Sequence, residues 1–246
     1  MRKVVIVTGG SRGIGAATCL LLAKQRYSVC VNYHRNQEQA QQVVDEIIAQ
    51  GGDAFSYQAD VSNETQVEAM FAATRQRYGC VTHLVNNAGI LFTQSELRDI
   101  DVARFKQVLD TNVIGCFVCC KTFINQFDQA NGHGAIVNVS SAASRLGAPF
   151  EYVDYAASKG AMDSITIGLS LELAGEDIRV NGVRPGCIHT EMHADGGEPG
   201  RVDRLGPNLP LKRGGTPEEV ANAIVWLLSD EASFVTGTFL ELAGGR

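Results

Sequence analysis

This chain of 246 residues has no basic arm and no cluster of Lys and Arg; its 27 acidic residues outnumber its 21 basic ones, giving a net charge of -6. Binding to nucleic acid or to an anionic membrane needs concentrated positive charge, so neither is an expected partner. The opening run MRKVVIVTGG is too short in apolar residues for a signal peptide and lacks a cleavage site. No stretch of about 18 apolar residues is expected to span a bilayer. The seven cysteines are odd in number and do not show the spacing of a small disulfide framework. Cys116, Cys119 and Cys120 lie in the apolar run NVIGCFVCCK, with no nearby His or second Cys pair to complete a metal site. They read as reduced core residues, and a reducing cytoplasm fits that usage. No His/Glu spacing suggests a metal, and the G-x-S-x-G elbow of α/β hydrolases is missing. There is also no internal repeat, low-complexity tract or interdomain linker, so residues 1–246 read as one domain.

What is present is alternation. Short β-branched runs at 3–8, 28–33, 54–59, 82–89, 134–141, 177–186 and 237–242 read as strands. Between them, apolar residues at helical spacing predict helices after residue 12, over 36–50, 64–78 and about 101–128, and from near Tyr155 past Leu173. A further helix opens with Thr216 as N-cap and Pro217 at its first position. Residues 187–215 contain six Gly and three Pro with little periodicity, and read as a mobile loop with a short helix inside. Strand-helix alternation predicts an α/β fold built on a parallel, doubly wound sheet, with ligands at the carboxyl ends of its strands.

TGGSRGIG (8–15) sits between the first strand and the first helix. Gly9, Gly13 and Gly15 let the backbone bend and a phosphate approach, while the helix start offers free N–H groups. The plain alternative is an ordinary Gly-rich connection. Other motifs follow in order: NNAG (86–89), Asn112 in DTNVIG, VSS (139–141), YAASK (155–159) and RPG (184–186). Together these resemble the short-chain dehydrogenase/reductase family from residue 3 almost to the end. The resemblance implies a Rossmann-type sheet of about seven strands flanked by helices, a three-layer sandwich. It also implies a nicotinamide cofactor and a homo-oligomer, a tetramer or dimer.

On that resemblance, Gly9, Ser11, Arg12, Gly13, Ile14 and Gly15 form the phosphate turn. Asn32, Tyr33 and Arg35 border the adenosine ribose, with Asp60 and Val61 beside adenine. Asn87, Ala88 and Gly89 line the cofactor, and Asn86 braces the strands. Pro185, Gly186, Ile188 and Thr190 hold the carboxamide. In VNYHRN, Tyr33 takes the usual acidic position and Arg35 follows; a forked guanidinium suits a 2′-phosphate. NADP(H) is therefore expected ahead of NAD(H), which stays possible. The alternatives are solvated surface charges for Arg12 and Arg35, and a helix cap for Asp60.

Tyr155 and Lys159 stand one helical turn apart on the same face. Hydride transfer to a carbonyl leaves charge on oxygen, and a phenol with an ordinary pKa near 10 exchanges protons poorly at neutral pH. A nearby ammonium is expected to lower that pKa, making Tyr155 general acid in reduction and base in oxidation. The resemblance gives Lys159 a second role at the nicotinamide ribose. Ser141, ahead of Ser140, is expected to stabilise the substrate oxygen, although it lies one residue further from the tyrosine than is usual in the family. Asn112 resembles the residue that holds a relay water; its alternative is a polar residue satisfying backbone. His189 and His193 read as solvated loop residues with a substrate contact possible. Asp177, where Gly often stands, is expected to adopt the left-handed conformation; Ala243 replaces a frequent Asp.

The implied activity is interconversion of an alcohol with a ketone or aldehyde. The alternatives are a non-catalytic dinucleotide-binding or sensor protein, and an isomerase or dehydratase on the same fold. The substrate is a small-molecule carbonyl or alcohol. Residues 91–98, 142–152 and 187–215 would select among sugars, small ketones and 3-oxoacyl thioesters.

Overall fold

Runs of Val, Ile, Tyr and Phe suit a pleated surface packed on both faces, and seven of them do form strands. In the computed structural model, which describes residues 3–246, these are β1 (Val4–Val7), β2 (Ser28–Tyr33), β3 (Asp53–Gln58), β4 (His83–Asn86), β5 (Gly134–Val139), β6 (Ile178–Pro185) and β7 (Phe239–Leu242). Met1 and Arg2, which open the run read for a leader, lie outside the described residues. All seven strands pair in parallel in the order β3-β2-β1-β4-β5-β6-β7. Strand order reverses between β1 and β4, where a crevice opens at the carboxyl ends.

Period-two alternation divides the core between two faces. Val5, Val7, Val29, Val31, Val85 and Val137 point to one side, against α1 (Gly13–Lys24), α2 (Gln37–Ala49) and α10 (Pro217–Leu228). Val4, Ile6, Cys30, Leu84, Ile136 and Val180 point to the other, against α3 (Glu64–Tyr78), α5 (Gly115–Gln126) and α7 (Val153–Glu172). Both faces being apolar explains the continuous hydrophobic runs. The result is the Rossmann-type three-layer α/β architecture. Cys116, Cys119 and Cys120 are buried in the second face, and no cysteine is disulfide-bonded. Burial pushes the Cys119 thiol up, and a hydrogen bond with Cys116 followed by burial does the same for Cys120, which keeps both protonated.

Local capping sets several boundaries. Asn36 and Asn63 accept from the backbone N–H groups of Gln39 and Gln66, starting α2 and α3. Thr216 and Glu219 form a reciprocal capping box at α10, as its sequence predicts. Asp177 is left-handed at φ 59°, reversing the chain into β6.

Four expectations need correction. The helix expected over 101–128 is α4 (Val102–Leu109) and α5, joined by a π-turn at Asp110–Ile114. That whole run, Val102–Gln126, is long and apolar enough to cross a bilayer by length and composition, with mean hydropathy 1.2 and half of the apolar window buried in the fold; the expectation of no such stretch was too strict. α7 starts at Val153, before Tyr155, and ends before Leu173, where a 3-10 turn (Ala174–Glu176) takes over. Residues 187–215 hold two short helices, α8 (Met192–Asp195) and α9 (Arg201–Leu205), in addition to a 3-10 turn. The remaining helix, α6 (Ala143–Leu146), follows β5.

Candidate active site

The glycine turn is shaped by near-contacts that leave no room for a side chain. A Cβ on Gly15 would stand 2.2 Å from the Gly9 carbonyl oxygen and 2.6 Å from Asn87 Nδ2. Gly9 and Gly13 have φ of 61° and 52°, a region that favours glycine. Two asparagines hold the turn. Asn32 Oδ1 accepts from Gly9 N–H at 3.2 Å, and Asn87 Nδ2 donates to the carbonyls of Thr8 and Gly9 at 2.9 and 3.0 Å. The Thr8 hydroxyl accepts from the N–H groups of Asn87 and Ala88. α1 follows, with Arg12 at its N-cap in extended conformation and no side chain capping the exposed N–H groups. Ser11 and Ile14 sit in the same turn.

Several residues expected to touch the cofactor have their side chains committed elsewhere. Asn32 is buried, with Nδ2 turned to the Ala59 carbonyl at 3.0 Å. Tyr33 is buried among the first core face and Val61 among the second. Ile188 is likewise core, and Pro185 is buried. These residues set the shape of the rim through backbone and bulk. Asn86 Nδ2 donates to Asn138 Oδ1 at 2.9 Å, a strand brace. Thr190 lies against Gly13, and Gly186 approaches Ala243 so closely that a Cβ would sit 2.8 Å from its Cα.

At the carboxyl ends of β2 and β3, His34, Arg35, Gln58 and Gln66 line an open cavity of about 610 Å³. Asp60 is not a helix cap; Asn63 is. The Asp60 carboxylate accepts from the Ser62 N–H and hydroxyl and faces His34 Nε2 at 3.6 Å. Burial pushes its pKa up, but those bonds, His34 and Arg35 outweigh burial and hold it below the ordinary carboxylate value. His34 carried no sequence signal, because only the fold brings it to Asp60.

On the other side of the switch point, α7 presents Tyr155 and Lys159. Both are buried, at 9% and 3% exposure, and Lys159 Nζ stands 5.6 Å from the Tyr155 ring centre. Lys159 Nζ donates to the Val139 carbonyl at 2.8 Å and has only a long contact to Met162 Sδ besides. An ammonium has three donors. The rest face the strip at Gly89, where a Cβ would lie 3.5 Å from Nζ and 3.3 Å from Asn112 Oδ1. The sequence argument expected Lys159 to lower the tyrosine pKa. Here burial dominates: it pushes the Tyr155 phenol up to about 12, with the Ser141 hydroxyl pulling down by a hydrogen bond and Tyr152 pushing further up. Burial also lowers Lys159 to about 8, opposed by Cys116 and Asp163. The amine so remains mostly charged at neutral pH.

Ser141 accepts from Ala143 N–H and is near enough to Tyr155 to pull the phenol's pKa down, whereas the Ser140 hydroxyl is buried and donates to the Lys159 carbonyl. The two serines thus divide into one facing the phenol and one fixing the helix. Asn112, on the π-turn, is fully buried; its amide accepts from Ile90 N–H and donates to the Ile90 carbonyl and to Ser158 Oγ. That is the backbone-satisfying role weighed as its alternative. A π-turn widens a helix locally and often marks a functional site; here it swings Asn112 onto the strip beside Lys159.

Residues that sequence reasoning passed over complete the rim. Asp154 is buried beside Tyr155 and takes a forked pair from Arg104 at 2.7 and 3.3 Å, while Arg104 also donates to the Thr93 carbonyl. Glu198 accepts from Gln94, Arg201 and Arg204, and Arg201 also pairs with Glu151. Alternating charge in 198–204 was the one available hint. His193 is not a solvated loop residue, for its Nε2 meets the Ile188 carbonyl at 2.9 Å; His189 is exposed.

The glycine cradle, the uncapped start of α1 and the spare donors of Lys159 all lie at the carboxyl ends of the strands, and this donor set fits a dinucleotide.

Comparison with known proteins follows the same lines. Residues 9–246 match the family model described as enoyl-(acyl carrier protein) reductase. The chain is 60% identical over 245 residues to the uncharacterized oxidoreductase YgfF of Escherichia coli K12, covering 99% of each. It is 36% identical to glucose 1-dehydrogenase 2 of Bacillus subtilis, covering 99% of this chain and 94% of that one. Among solved structures it is similar to a double-mutant short-chain dehydrogenase/reductase from Serratia marcescens, with TM-score 0.90 and 31% identity over 99% of this chain and 97% of that one.

Proposed function

The chain belongs to the short-chain dehydrogenase/reductase family of oxidoreductases, and from that premise we propose an NADP(H)-dependent enzyme that interconverts an alcohol and a ketone or aldehyde. The observation that carries this is the cluster of buried Tyr155 and Lys159 with half-buried Ser141 at the carboxyl edge of the sheet. The bound nicotinamide supplies or accepts the hydride. Tyr155 and Ser141 donate hydrogen bonds to the substrate oxygen and polarise the carbonyl. A phenol at about 12 is fully protonated at neutral pH, as an acid for reduction must be. As negative charge grows on the oxygen, the Tyr155 Oη proton moves to it. The resulting phenolate is stabilised by the Ser141 hydroxyl and the Lys159 ammonium. Asn112 fixes the Ile90 backbone and so the strip facing Lys159.

Gly9, Ser11, Gly13, Ile14 and Gly15 would cradle the pyrophosphate; Ala88 and Gly89 would border the ribose next to Lys159; Gly186 and Thr190 would border the carboxamide. Arg35, with His34 beside it, supports the choice of NADP(H). We read residues 1–246 as one such domain, with 187–215 as its substrate loop. Seven unpaired cysteines support a reducing cytoplasm. Val102, Phe105, Phe117, Ile167 and Leu171 are exposed apolar residues that support a homo-oligomer.

The test is a carbonyl and polyol screen at the nicotinamide absorbance, with both cofactors and Tyr155→Phe as control. Turnover lost in the variant supports the reading. Dinucleotide binding without turnover of any substrate would favour a sensor, and product without net cofactor oxidation an isomerase or dehydratase.

A further inference from the structure

Arg12 is not free to meet a cofactor. Its guanidinium Nη2 pairs with Asp195 Oδ2, the last residue of α8 in the substrate loop. Both partners are about half exposed, at 44% and 47%. The loop is seated on the turn here. The Cβ that Gly13 lacks would stand 3.2 Å from Thr190 Cγ2 and 3.7 Å from Glu191 Oε2. Asp195 is held by its own backbone, its N–H donating to the Glu191 carbonyl and Gly196 N–H donating to the Met192 carbonyl. Two carboxylates of one short segment therefore stand at the mouth of the phosphate turn.

The rest of the loop is fastened elsewhere. Gln94, Arg201 and Arg204 all donate to Glu198, and Arg201 also pairs with Glu151. The Cβ absent from Gly196 would lie 2.7 Å from Leu91 Cδ1. This far end is a network, whereas the near end is held to the turn by one ion pair. A single half-exposed pair contributes little to stability and is readily exchanged.

We propose that Asp195 is a latch that holds the substrate loop on the dinucleotide turn through Arg12, and that it competes with the cofactor's 2′-phosphate for that guanidinium. The proposal rests on the reading that this turn binds NADP(H). Asp195 occupies the Nη2 of that guanidinium, and its carboxylate stands where a second anion on the same group would be repelled. Phosphate at the turn and the closed latch therefore disfavour each other, and the measured affinity for the phosphorylated cofactor is lowered while the latch is closed. NADH lacks the 2′-phosphate and gains much less when the latch is removed. Asp195 thus sets cofactor preference from the substrate loop, far along the chain from the motifs that form the turn.

Calorimetric titration of the full chain with NADPH and with NADH tests this on the wild type, Asp195→Asn and Asp195→Glu. Asp195→Asn is expected to bind NADPH about fivefold tighter, with NADH moved less than twofold, and Asp195→Glu to behave as wild type. Limited proteolysis without cofactor is expected to cut the 190–197 segment faster in Asp195→Asn. NADPH affinity left unchanged or weakened in Asp195→Asn, or NADH tightened equally, overturns the latch while NADP(H) binding itself stands. A wild type that binds NADH but shows no heat with NADPH overturns the cofactor reading and the latch together.

Discussion

The two edges of the sheet both bury titratable groups, and they handle them differently. At the amino edge, His83 starts β4, stacks edge-on with Tyr27 at 5.0 Å, and has Nδ1 2.7 Å from the Thr82 hydroxyl. Beside it, Arg179 donates to the carbonyls of Leu227, Ser229 and Val235, closing the end of α10. Lys3 pairs with Asp230. At the carboxyl edge, Lys159 keeps donor capacity in reserve toward Gly89, and the Ser141 hydroxyl pulls the Tyr155 pKa down. Perturbed ionisation is therefore not the mark of the site. Burial drives His83 down to about 3, a larger displacement than that of Tyr155 or Lys159, yet the open cleft beside it, lined by Lys3, Tyr27 and Asp230, has no glycine cradle. What distinguishes the carboxyl edge is unfilled hydrogen-bonding capacity next to backbone that lacks side chains.

The sharpest way to break this contrast is Tyr155→Phe. Turnover is expected to fall by about a thousandfold or more, with the melting temperature held to within about 2 °C, because only a hydroxyl is lost. Turnover within tenfold of the wild type would remove Tyr155 from the chemistry.

The amino edge makes the opposite prediction, visible in stability and not in rate. His83 is neutral when folded and has a folded pKa well below its unfolded value of 6.5. Its contribution is present above pH 6.5 and is lost as pH falls toward 3, because the unfolded chain takes up a proton that the native state refuses. Urea unfolding at pH 7 and 4.5 should differ by about 2–3 kcal/mol from this group, and His83→Gln should flatten that part of the slope. An unaltered slope in the variant would show that other groups govern acid unfolding.

Lys159→Met addresses the same contrast from the site. Removing a buried, under-satisfied ammonium should leave the melting temperature unchanged or raised while kcat drops by about a hundredfold. A stability loss matching the loss of rate would make Lys159 structural. Arg179→Met reverses the pattern. The Leu227 and Ser229 carbonyls lose the Arg179 donor while Val235 keeps Asn181, for about 2 kcal/mol of destabilisation, with kcat/KM unchanged. The smallest effect is expected at Arg35→Asp, which should move the NADPH-to-NADH affinity ratio about tenfold toward NADH; a ratio that does not move would take Arg35 out of cofactor selection.

Much of this architecture could be read along the chain. β2 and α3 match their predicted limits at both ends, since Asn63 announces α3 and the polar residues Gln25-Arg26 and His34-Arg35-Asn36 frame β2. The π-turn at Asp110–Ile114 could not, because it exists to let Asn112 reach the backbone of Ile90, twenty-two residues earlier. The direction of the Tyr155 pKa was misread for a related reason. One-turn spacing puts Lys159 nearby, but it says nothing of burial, and burial is what sets the direction for Tyr155.

Local order in the sequence by itself determined the succession of strands and helices, the position of the glycine turn and the pairing of Tyr155 with Lys159, since each follows from neighbours within a turn or two. Only the tertiary structure decided that Asn32 and Asn87 brace the turn, that the Ser140 hydroxyl donates to the Lys159 carbonyl, and that Asp195 reaches Arg12. Those outcomes depend on which distant groups share a desolvated space, where every polar atom must find a partner and the nearest one lies far away in sequence.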